Sequence, residues 1–126
     1  MLDRASILSK KDLKRVKVTV PEWGGDVYVS EMTGEARDEW DLALYQSRKS
    51  GTIKNSSARL VIATVVNEKG NRIFSDKDIG EVGKLSSGAL DRITRASQKI
   101  NNIGVKAIKD AEKNSEAAPS GGSTSS

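Results

Sequence analysis

Between Val16 and Thr33 the chain alternates strictly. Val16, Val18 and Val20 are separated by Lys17 and Thr19, and Val27 and Val29 flank Tyr28 beyond a Gly24-Gly25 pair. Apolar positions of period two on both sides of a glycine pair predict a β-hairpin. Glycine suits the tip because tight hairpin turns need positive φ at their central residues. Pro21 has no N–H to give a sheet, so it closes the first strand. A hairpin alone is marginal in water, so this one has to pack on something.

The pattern then turns helical. Thr33 is placed to cap a helix over about 34–48, with Glu35 in its first turn and Arg48 and Lys49 in its last, where the helix dipole favours each charge. Ala36, Trp40, Ala43 and Leu44 make its apolar face, and Gly51 ends it. From Lys54 to Asn67 the pattern fits either a helix capped at Ser56 or Ser57 or a buried strand, because Leu60–Val66 is nearly all apolar and β-branched. Asn67–Asn71 reads as a turn, and Arg72-Ile73-Phe74 as a strand returning from it. Ser75 or Asp76 caps a short helix through Ile79 and Val82 that Gly83 interrupts. Ser86 or Ser87 opens the longest stripe, with Ala89, Ile93, Ala96, Ile100, Ile103 and Ala107 at spacings of four and three and Leu90 alongside. Gly104 predicts a break there, beyond which Val105, Ile108 and Ala111 can extend the helix. The expected fold is therefore α+β, with an N-terminal β-hairpin packed on a mainly helical domain of three to four helices.

The ends read differently from the body. Residues 1–15 form a basic N-terminal arm, expected to be partly ordered, in which Ile7, Leu8 and Leu13 are the apolar positions; Lys10, Lys11, Lys14, Arg15 and Lys17 cluster at its end. The α+β domain runs over 16–113, and 114–126, rich in Ser and Gly, reads as a flexible tail.

Composition narrows the chemistry. With neither Cys nor His in 126 residues, disulfides, thiol chemistry and the commonest general base and metal ligand are all excluded. Asp38, Glu39 and Asp41 sit in the acidic N-terminal half of a helix, which is ordinary for helices, and no metal site is assigned to them. No glycine pattern matches a phosphate or dinucleotide loop, and the EF-hand pattern is absent. No catalytic, cofactor-binding or metal residue is therefore assigned, no cofactor is expected, and the chain reads as a binding or assembly protein rather than an enzyme. A formal charge of +4 is small for a dedicated nucleic-acid binder, and five aromatics are too few for a base-stacking platform. No apolar run has the length of a membrane span and no secretory signal is visible, so a membrane partner is not expected and a cytoplasmic location is.

The order and spacing of several segments resemble the tail assembly chaperones of long-tailed, siphovirus-type phages and prophages. The resemblance rests on Val20-Pro-Glu-Trp-Gly-Gly25, Val27-Tyr28-Val29, Glu31-Met32-Thr33-Gly34, Arg59–Val66, Gly70, Phe74-Ser75-Asp76 and Leu90–Asn101, and spans about 7–103. Ser30 stands where a basic residue is common, and Asn67 where Asp is common. The resemblance implies that Lys54–Asn67 is helical. It also implies a non-catalytic chaperone in the cytoplasm of the host bacterium, absent from the mature virion. Such a protein binds the tape measure protein, keeps it soluble and helps recruit tail tube subunits; homo-oligomerisation is compatible with that role.

A client-coating protein needs exposed apolar or aromatic surface, which makes Trp23, Tyr28 and Trp40 the candidate partner contacts. Each has a competing role: Trp23 beside the glycine pair either caps the core or anchors a partner, and Tyr28 and Trp40 also fit the core. Two other functions stay open at this point. The Lys10–Lys17 cluster and the lysines of the last helix suit a small basic nucleic-acid-binding regulatory module, and a structural head-tail connector component is a third reading.

Overall fold

In a computed structural model, described for residues 1–51 and 55–104, the hairpin is part of a three-stranded antiparallel sheet of order β1-β2-β3. Its strands are β1 (Arg15–Val20), β2 (Gly25–Ser30) and the two-residue β3 (Val65–Val66). Val16 lies opposite Val29 and Val18 opposite Val27, so the valines share one face and Arg15, Lys17 and Tyr28 share the other. The turn is longer than a tight Gly-Gly reversal. Pro21–Trp23 form a single 3-10 turn, Gly24 takes φ 71°, and Gly25 already belongs to β2, paired with Val20. Only Gly24 needs the left-handed region, because Pro21 starts a turn that closes when the Gly24 N–H donates to the Pro21 carbonyl at 3.1 Å.

Among the described residues five α-helices accompany the sheet: α1 (Arg4–Leu8), α2 (Gly34–Lys49), α3 (Ser56–Thr64), α4 (Ile79–Gly83) and α5 (Ser87–Ile100). α5 lies against β1, β2, the turn at Pro21–Trp23 and α3. Its Ala89, Leu90 and Ile93 meet Val20 and Val29 of the sheet, Ala58, Val61 and Ile62 of α3, and Val82 of α4 in the main core. A second, smaller cluster of Trp40, Leu44, Leu60 and Ile103, with Met32 against it, fastens α2 to the body.

The ambiguous segment holds both of the structures its pattern allowed. Ser56–Thr64 is helix, as the resemblance implied, but Val65 swings to ψ 124° and the chain becomes β3, with Val65 beside Val29 and Val66 beside Tyr28. An all-helical segment is therefore corrected. The β-branched pair completes the sheet, and the resulting burial outweighs one more turn of helix. The second hairpin read locally survives only as a bridge between Val66 and Arg72 and a bond from the Ile73 N–H to the Val65 carbonyl at 3.3 Å.

α5 also ends earlier than Gly104 suggested. Asn102 takes φ 58°, and the Ile103 and Asn102 N–H groups donate back to the carbonyls of Gln98 at 2.8 Å and Lys99 at 3.3 Å. This is a Schellman stop with Asn in the glycine position, and it turns Ile103 into the second cluster. The Asn101 side chain bridges the junction: its Oδ1 accepts from the Met32 N–H at 2.7 Å and its Nδ2 donates to the Ser30 carbonyl at 3.2 Å. The continuation through Val105, Ile108 and Ala111, and the tail from Asn114, lie outside the described residues.

One buried polar pair joins α3 to α5. Thr64 and Ser97 are both 0% exposed, with hydroxyl oxygens 2.7 Å apart. The Thr64 hydroxyl spends its single proton on the Leu60 carbonyl at 2.7 Å, so Ser97 donates to Thr64. Thr64→Val is expected to cost about 1–3 kcal/mol because it strands the Ser97 donor, whereas adding Ser97→Ala recovers much of that loss. A double-mutant cycle in urea checks this; strictly additive costs would show that the pair is not coupled.

Candidate functional site

Three exposed regions surround the positions singled out by sequence, and they do not form one site. The first is the open face of the hairpin. Alternation puts Arg15, Lys17 and Tyr28 on it, and the Tyr28 ring lies 4.7 Å from the Arg15 guanidinium carbon and 6.0 Å from the Lys17 ammonium. Tyr28 is half-buried, and the two cations reaching its ring from β1 leave its surroundings positive. The Lys14 and Glu31 backbones continue the pairing past the strand, since the Glu31 N–H donates to the Lys14 carbonyl and the Lys14 N–H to the Glu31 carboxylate, each at 2.8 Å.

The second region is the hairpin tip. Trp23 is half-buried and packs against the main core, so it closes that core with one side and shows the other to solvent. Beside it Glu22 reaches across to α5, where its Oε1 accepts from Arg92 Nε at 2.9 Å. A Cβ on Gly88 would come within 2.9 Å of Glu22 Oε2, so a side chain in the first turn of α5 would make the carboxylate shift. Backbone hydrogen bonding at Glu22 and the Arg92 donor hold its carboxyl below the usual glutamate value.

The third region is a groove of about 180 Å³ between α2 and α3, lined by Ala36, Trp40, Ala43, Ile62, Ala63 and Ile79 and rimmed by Glu39, Arg59, Arg72 and Asp76. Trp40 is only 5% exposed and forms the wall of this groove, so it does not offer a partner a free ring face. Its Nε1 and Arg59 Nε are buried and have no hydrogen-bond partner among the described residues. Sequence reasoning placed Trp40 correctly on the apolar face of its helix. It had no means of finding the groove, which needs α3 and the 72–79 segment brought alongside.

Among the described residues no three His, Cys, Asp or Glu side chains come close enough to hold a metal ion, and no helix is long and apolar enough to cross a membrane. A family model described as phage tail assembly chaperone matches residues 3–114, most of the chain. The chain belongs to the phage tail assembly chaperone family. That role is non-enzymatic and makes tail proteins its partners. The solved structure of the bacteriophage HK97 tail assembly chaperone is similar, with 20% identity and a TM-score of 0.56, over 79% of this chain and 95% of that one. At this identity the likeness establishes the α+β fold of a tail assembly chaperone and nothing about its contacts. No curated protein matches the chain.

The tie between hairpin tip and α5 has a defined pH signature. A carboxyl whose pKa is lowered by folding stabilises the folded chain fully above its unfolded pKa and loses that contribution as pH falls through the lowered value. Glu22→Gln is therefore expected to lower the urea midpoint at neutral pH, with the two proteins converging in acid. A difference that stayed constant with pH would assign the effect to packing instead.

Proposed function

We propose that this chain is a non-catalytic chaperone that binds the tape measure protein in the host cytoplasm and keeps it soluble. It helps bring tail tube subunits to that client and leaves before the virion is mature. The observation that carries this reading is the family match over 3–114. The chemistry of the hairpin supports it. Tyr28 between Arg15 and Lys17, with the exposed side of Trp23 at the tip, presents aromatic surface bordered by positive charge on a rigid two-stranded frame. A coating protein needs modest affinity per copy, and one or two such anchors supply it. Trp40 contributes from beneath the surface, by holding α2 in place.

Co-expression with the tape measure protein is expected to keep that client soluble and to recover both in one pull-down. Tyr28→Ala and Trp23→Ala are each expected to weaken recovery by about tenfold or more, the size of an interface anchor at about 2 kcal/mol. Circular dichroism checks that the fold survives. Tyr28→Ala is the cleaner probe, because Trp23 also closes the core. Unchanged client solubility and recovery in both folded variants would remove the hairpin from the contact surface.

A further inference from the structure

The sheet ends on β1, and among the described residues no strand pairs with its outer edge. β1 runs over Arg15–Val20 in unbroken register with β2, without a bulge or a proline inside it. The Glu31 N–H donates to the Lys14 carbonyl, so Lys14 and, by alternation, Val16, Val18 and Val20 turn their backbone groups towards β2. The N–H and C=O groups of Arg15, Lys17 and Thr19 therefore point away from the sheet. Proteins ordinarily cover, kink or shorten an edge they do not use. An edge left regular over its whole length is a template for another strand.

The charges along this edge decide which strand it takes. Arg15 and Lys17 are exposed on the open face, and Lys10, Lys11 and Lys14 lead into the strand. A second β1 would set these cations beside their own copies, and like charges facing each other across a ladder are destabilising. A basic edge thus turns away its own kind and favours an acidic strand. On the other face Val16 is 41% exposed and Val18 only half-buried, so aliphatic surface is left uncovered there. The edge calls for an extended segment with acids on one side and aliphatic residues on the other.

We propose that the outer edge of β1 takes an extended acidic stretch of the client as a fourth, antiparallel strand, a mode of binding that rests on the hairpin being the client surface. The carboxylates of that stretch lie opposite Arg15 and Lys17, on the face that carries Tyr28, and its backbone bonds to the outward groups of Arg15, Lys17 and Thr19. Its alternate, aliphatic residues cover Val16 and Val18. Main-chain bonds do not depend on side-chain identity, so charge pattern rather than exact sequence selects the segments that are held.

The probe is a peptide of alternating Glu and Val with the six-residue length of β1, titrated by NMR into the purified full chain at low salt. In antiparallel pairing its glutamates stand opposite Arg15, Lys17 and Thr19 with their N–H groups aimed at β1. Amide exchange at those three residues is expected to slow about tenfold near saturation, with Val16 and Val18 unchanged. N-methylation of the glutamate amides is expected to abolish binding, whereas methylation of the valine amides, which face solvent, leaves it intact. Lys17→Glu, at an exposed position, is expected to weaken the peptide about tenfold. Thr19→Pro removes one outward N–H where an edge strand tolerates proline, and is expected to lower client recovery on co-expression about tenfold. If that variant does not fold, the methylated peptides carry the test. No binding of the peptide, equal binding of the two methylated forms, or binding that leaves the three amides unprotected would overturn the proposal. An oligothymidylate that displaces the peptide and binds more tightly would assign the basic strip to phosphate, and would overturn it too. Normal client recovery by folded Thr19→Pro would overturn strand addition and leave the chaperone reading standing. An unchanged chain that recovers no client would overturn both, which separates the two failures.

Discussion

The burial of one face of α5 is the constraint on which the rest of the chaperone depends. Ala89, Leu90 and Ile93 are the residues through which the sheet, α3 and α4 share a core. Most of the residues meeting there are aliphatic and no larger than leucine, so the core is shallow. α5 packs on both long strands and on α3, while β1 and β2 hold each other most extensively and α4 rests mainly on α3. Polar groups then fix the position of the helix along its axis. Arg92 meets Glu22 in the first half, Ser97 meets Thr64 in the last turn, and Asn101 holds the backbone of Ser30 and Met32 just beyond it. The Ser97–Thr64 pair is fully buried and the Arg92–Glu22 pair largely exposed, so the register of α5 depends more on Thr64 and Asn101 than on the ion pair.

α2 stands apart from this arrangement. It joins the body through α3 and the small cluster of Trp40, Leu44, Leu60 and Ile103, and it leaves a groove against α3. The hairpin's open face is basic and aromatic, whereas the groove is aliphatic, with two acids and two arginines among its lining residues.

Much of the fold was legible beforehand because its signals are local. Alternating valines define a strand pair, Thr33 caps its helix through the Ala36 N–H, and Ser86 does the same for Ala89. The errors came where local preference met a distant partner. Val65 and Val66 leave the helix because β2 has an open edge for them, and nothing within the 54–67 window announces that edge. α5 stops at Asn101 because Asn102 reaches the left-handed region and Ile103 has an apolar cluster to enter, although Gly104 is the obvious breaker. Trp23 packs against the core as one of the two readings expected and keeps part of its surface in solvent, since a side chain at a hairpin tip can face both.

Sequence by itself determined the periodicities, the caps at Thr33, Ser75 and Ser86, the chemistry excluded by the lack of Cys and His, and the family. These depend on neighbours a few residues apart or on composition. α3 is instead preceded by Asn55 at φ 56°, where Ser56 or Ser57 was expected to cap it. Tertiary structure decided the third strand, the end of α5, the place of Trp40 in a groove wall, and the contact of Glu22 with α5. Each of these joins residues separated by dozens of positions. No local pattern encodes such pairs, because their energy exists only once the intervening chain has folded and excluded water between them.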